Sequence, residues 1–71
     1  MTNREFIVEK LNSGKTIWRF TKRYAISYSK SNKGVWVVYH YGMNDCRDET
    51  ISMQTAIDRL VRNFKQIDSI R

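Results

Sequence analysis

Apolar residues follow three successive patterns along this chain, helical, alternating and helical again, and each predicts its elements. Near the start, Phe6, Ile7 and Leu11 share a stripe at i, i+1 and i+5 with Val8 beside it, a helical spacing. Thr2 followed by Glu5 has the spacing of a capping box, in which the hydroxyl and the carboxylate each satisfy an orphan N–H at a helix start. Asn12, Ser13 and Gly14 supply a stop, so a short helix is expected over about residues 3–12.

From Trp18 to Ser29 the pattern alternates. Trp18, Phe20, Tyr24, Ile26 and Tyr28 lie on one parity, and Arg19, Arg23, Ala25, Ser27 and Ser29 on the other, which is a strand signature. Lys22 is the misfit on the apolar parity, so a bend, bulge or tight turn is expected at Lys22-Arg23, giving one long bent strand or two short ones. Ser31-Asn32-Lys33-Gly34 has the composition of a hairpin loop, with Gly34 free to take positive φ. Val35 to Tyr41 returns as a strand apolar on both parities, hence central, and the more polar Arg47–Ile51 suits an edge.

The last element carries the strongest signal. Behind a plausible N-cap at Ser52, Met53, Ala56, Ile57, Leu60, Val61, Phe64 and Ile67 recur at helical spacing, and residues 68–71 are expected to fray. The fold class is therefore α+β in a single domain, residues 1–71. A short N-terminal helix precedes a three-stranded antiparallel sheet, or a four-stranded one if the first strand divides, and an amphipathic C-terminal helix packs on the sheet.

Composition narrows the function classes. A 71-residue chain with 41% hydrophobic residues buries one modest core and leaves little room for a deep enclosed active site. Cys46 is the single cysteine, so no intramolecular disulfide forms, which favours a reducing compartment; with no export signal and no apolar run of roughly 20 residues, a cytoplasmic location away from membranes is expected.

Catalytic templates find little. His40 and Cys46 are six residues apart with Asp45 and Asp48 nearby, but one His and one Cys do not make a structural zinc site, and acidic neighbours disfavour a thiolate. Phosphate-cradling and nucleophile-elbow motifs are missing. The expectation is a protein that is not an enzyme and takes no metal or cofactor.

The charge distribution is more informative. The formal net charge is +6, and from Lys10 to Asn44 seven basic residues occur with no acid. Such a field attracts polyanions, although it also serves solubility. Arg19 and Arg23 share a parity with Ala25, Ser27 and Ser29, a face that lets a ligand backbone approach; Lys22 lies beside them, Lys30 and Lys33 flank the hairpin tip, and Trp36 offers an aromatic contact. Bland readings stand beside these: Trp36 as core, the arginines as a solvated face or paired with Glu5 and Glu9, the lysines as solubilising residues, and Arg59, Arg62 and Lys65 as a solvated helix ridge.

Tyr28, the Lys33-Gly34-Val35-Trp36 hairpin, the turn at Gly42 and the Thr55-Ala56 step carry a resemblance over residues 24–64. That portion resembles the three-stranded sheet plus helix of APETALA-type DNA-binding domains and of the arm-binding domains of tyrosine recombinases. The resemblance implies DNA recognition by the sheet face, with Arg23, Ser27 and Trp36 as contacts. The N-terminal helix and the Trp18–Phe20 segment are not part of that pattern. The chain is also similar in size and charge to small phage or mobile-element accessory proteins.

Two readings of function follow. The first is nucleic-acid binding, DNA above all, through Arg19, Lys22, Arg23, Lys30, Lys33 and Trp36. The alternative is a protein–protein inhibitor or adaptor that docks on an acidic surface of a host protein. Self-association as a homodimer is a third arrangement open to so small a core.

Overall fold

A computed structural model describes all residues, 1–71. Helix α1 spans Asn3–Asn12, strands β1 to β4 span Ile17–Phe20, Ala25–Ser31, Gly34–Gly42 and Asp45–Ile51, helix α2 spans Met53–Arg62, and β5 is Ser69–Ile70. The capping box at α1 is formed in both directions, with Glu5 N–H donating to Thr2 Oγ1 at 3.1 Å and Thr2 N–H to Glu5 Oε1 at 3.2 Å. Ser52 caps α2 by accepting from Thr55 N–H at 3.1 Å.

The strands make one antiparallel sheet in the order β4-β3-β2-β1-β5. Both helices lie on the same side of it. Ile7 and Leu11 from α1, with Ala56, Ile57 and Leu60 from α2, share a core with Ile17, Ile26, Tyr28, Val35 and Val37, which the strand register puts on one face. Phe6 meets Phe64 edge to face at 5.9 Å, and Arg4 of α1 forms an ion pair with Asp58 of α2 at 2.6 Å. The other sheet face has no element over it.

The structure takes one of the two forms expected for the alternating stretch, and two further details differ from the sequence reading. The alternating stretch divides into two strands at a turn over residues 21–24, where Tyr24 N–H and Arg23 N–H donate to Thr21 Oγ1 at 3.0 and 3.3 Å. Helix α2 ends at Arg62, with the Asn63 side-chain amide bonded back to the Arg59 carbonyl oxygen at 3.1 Å, and Phe64–Gln66 continue as a single 3₁₀ turn. Residues 68–71 do not fray. Asp68 N–H donates to the Trp18 carbonyl oxygen and its carboxylate accepts from Phe20 N–H at 2.6 Å, while β5 adds to the free edge of β1. Hydrogen bonds to the open β1 edge, together with Ile67 and Ile70 packed against the core, offset the conformational entropy of ordering these residues.

Gly34 fixes the β2–β3 hairpin. No residue other than glycine has positive φ, so Asn32 and Lys33 turn without it and the unusual conformation falls on Gly34 at φ +139°. Its missing side chain also lets the hairpin lie directly against the end of β4 at Ile51.

Candidate nucleic-acid interface

In an antiparallel pair, residues directly opposite each other project to the same side. Phe20 is opposite Ala25, and Trp18 opposite Ser27. Because a four-residue turn separates β1 from β2, the parity reverses across it. Trp18 and Phe20 therefore share the open face with Ala25, Ser27 and Ser29, instead of joining Ile26 and Tyr28 beneath the helices. Across the next hairpin Ser29 is opposite Trp36, Ser27 opposite Val38 and Ala25 opposite His40, which adds those side chains to the same face. Asp48 and Cys46 follow on β4.

The result is an aromatic surface at the open side of the sheet. Trp18 and Phe20 stack with centroids 6.0 Å apart and 18° between ring planes, and the His40 ring lies 5.3 Å from Trp18. Closure of Trp18 and His40 leaves Ser27 only 5% exposed, so its small side chain forms a floor beneath them. Phe20 is 50% and Trp36 45% exposed. Trp36 is held by its Nε1–H, which donates to Asp48 Oδ2 at 2.8 Å.

His40 is fixed at both nitrogens. Nε2 shares a hydrogen bond with Ser27 Oγ at 3.2 Å, and Nδ1 lies 3.7 Å from Cys46 Sγ. The structure thus brings together the only histidine and the only cysteine. No group of three or more His, Cys, Asp or Glu side chains gathers here or elsewhere.

No known protein family, curated protein or solved structure matches this chain. The geometry alone therefore carries the site.

The six candidate residues divide. Trp36 stands on the open face, Lys22 and Arg23 lie exposed in the turn at its Phe20 end, and Lys33 is exposed at the hairpin tip near Trp36. Arg19 and Lys30 do not belong to this face. Arg19 is opposite buried Ile26 on the helix side, where its charge lowers the cost of ionising Tyr28, and Lys30, opposite buried Val35, donates to Asn12 Oδ1 at 3.0 Å. The reversal of parity at the four-residue turn moves Arg19 away, and Lys30 shares the parity of Ile26 and Tyr28 along β2 and so falls on the helix side.

Pattern reading also put Trp18 and Phe20 on the parity of Ile26 and Tyr28 and so left them out of the candidate contacts. Tryptophan and phenylalanine on an alternating strand read as core. The signal that could have redirected them was Lys22, the break in the alternation.

A second aromatic group lies at the same end of the sheet on the helix side. Tyr24, Tyr39 and Tyr41 have centroids 5.1 to 6.4 Å apart, with Arg47 over the Tyr41 ring at 5.8 Å. Burial raises the pKa of Tyr39, and its hydroxyl, donating to Glu49 Oε2 at 3.1 Å, raises it further. Tyr28 is raised chiefly by burial, against the opposing charges of Arg59 and Arg19. The cavity of about 300 Å³ lies elsewhere, between Asn3 and residues 61–66, and has no ring of the open face in it.

Proposed function

We propose that the protein binds nucleic acid through the open face of its sheet. The observation that carries the reading is an uncovered sheet face on which two aromatic rings stand about half exposed, rimmed by Lys22, Arg23 and Lys33 in a protein of net charge +6. Exposed aromatic residues on a sheet provide contact area for bases or sugars, and cations in flexible turns meet phosphates without demanding one geometry. The whole-molecule charge steers polyanions towards the surface.

Arg19 and Lys30 drop out of the contact set. Trp18 and Phe20 enter it, with Trp18 the inner ring of the stacked pair. No chemical step is part of this function, and no cofactor or metal takes part in it.

The test is fluorescence anisotropy of a labelled oligonucleotide at low and at physiological salt, with wild-type protein and with Lys22→Ala/Arg23→Ala. Expected are binding that weakens with salt and a double variant that binds more weakly with an unchanged melting temperature. Equal affinity of the double variant removes the rim from the site. Absence of any binding at low salt overturns the nucleic-acid reading and leaves the exposed rings as hot spots for a protein partner.

A further inference from the structure

The open face differs from its rim in charge. Strands β1 to β4 put a single charged side chain on it, Asp48, among rings, serines and Val38. The cations are at its boundary. Lys22 and Arg23 occupy one turn and Lys33 the opposite hairpin, while Arg71 pairs with Thr16 through N–H···O bonds of 2.8 and 2.9 Å, one position beyond Ile17 and Ile70. Strand alternation gives Arg71 the parity of Trp18.

Double-stranded nucleic acid suits this arrangement poorly. Its outer surface is phosphate, about one negative charge per 1.7 Å of axis, so a sheet laid on it presses phosphates against whatever the face carries. Here that is a carboxylate, aromatic rings and short hydroxyls, with no lysine or arginine among them. Reading base edges in a groove calls for long donors such as Arg, Lys, Asn or Gln, and the face has none of these among its strand residues. The rings would also go unused, because each base in a duplex already has both faces stacked.

An unpaired strand reverses each of these objections. Its bases are free to stack on the half-exposed rings of Phe20 and Trp36, its phosphates can turn outward to the rim, and base N–H groups can approach Asp48. Trp36 is set for this by the bond from its indole N–H to Asp48, which limits the rotamer freedom lost on binding.

Resting on the function proposed above, we infer that the ligand is single-stranded nucleic acid, lying bases-down on the open face with Phe20 and Trp36 as the two stacking positions. Rim contacts number about three to four, so the slope of log K against log salt is about −2 to −3 at roughly −0.7 per phosphate.

The test uses the full chain, a fluorescein-labelled single strand of mixed sequence and the same strand annealed to its complement. Binding is followed by anisotropy and by quenching of tryptophan fluorescence. The single strand is expected to bind at least about tenfold tighter. Phe20→Ala and Trp36→Ala should each weaken it by about 5- to 150-fold, the range of one lost base–ring stack. Phe20→Trp should retain binding and Phe20→Leu should not, which separates stacking from apolar bulk. Circular dichroism melts verify that each variant is folded.

Duplex binding as tight as single-strand binding overturns this inference and leaves the nucleic-acid function standing. Full binding by both folded alanine variants overturns the stacking assignment. Binding of neither ligand fails the function itself.

Discussion

Replacing Gly34 by alanine tests the account of how the hairpin, the edge strand and α2 are held together. Two separate costs meet at this position. The residue has φ +139°, a backbone conformation that a side chain strains by about 1–3 kcal/mol. The added Cβ would also overlap the Ile51 carbonyl oxygen and stand 3.3 Å from its carbon and 3.5 Å from Ser52 Cα. These are backbone atoms at the end of β4 and at the N-cap of α2, so relief requires moving the strand away from fully buried Val35, its partner in register. Such overpacking costs about 1–3 kcal/mol more.

The combined loss, about 2–6 kcal/mol, is comparable with the roughly 3–5 kcal/mol that a single core of this size supplies. Gly34→Ala should therefore be largely unfolded at 37 °C. Urea unfolding followed by tryptophan fluorescence gives the number, and two controls grade it. Gly14 has φ +80° but nothing within 4 Å of an added Cβ, so Gly14→Ala should lose about 1–2 kcal/mol from backbone strain alone. Gly42 has neither constraint, so Gly42→Ala should stay within about 0.5 kcal/mol of wild type. A Gly34→Ala midpoint indistinguishable from that of Gly42→Ala would refute the reasoning.

Other consequences can be checked on the same protein. Leu60, 1% exposed between the helices and the sheet, should lose about 2–5 kcal/mol on Leu60→Ala in urea titrations. Thr2→Ala removes one half of the capping box and should cost about 0.5–2 kcal/mol, read as a lower midpoint with little change in slope. The raised pKa values of Tyr28 and Tyr39 make stability fall in alkali. Above pH 10 the unfolded chain releases these protons first, so the tyrosines' contribution is complete below that pH and is lost as pH rises through the folded values. Tyrosinate absorbance should show Tyr28 and Tyr39 ionising later than in the urea-unfolded chain, and Tyr28→Phe should flatten the alkaline loss. A steeper loss for the variant would contradict the burial argument.

Local chemistry made much of this molecule legible from the sequence. The capping box at Thr2 and Glu5, the N-cap at Ser52, the stripe from Met53 to Leu60 and the positive φ of Gly34 depend on residues within a few positions of one another, and each formed where its spacing indicated. The α+β class follows from the same local periods, which both the helices and the strands obey.

Decisions that depended on counting across a turn were not legible. Whether Trp18 and Phe20 enter the core or stand opposite the helices is set by the register Phe20 to Ala25, and moving a strand by one residue transfers every side chain to the other face. The same register takes Arg19 out of the open face and leaves Trp36 on it. The placement of both helices on one side, and the capture of residues 68–71 by the edge of β1, join positions some fifty residues apart. By itself the sequence determined its helices, its strands and a strongly positive field. Only the tertiary structure decided which sheet face is open and which aromatic rings stand on it, because long-range pairing fixes facing and local periodicity fixes only alternation.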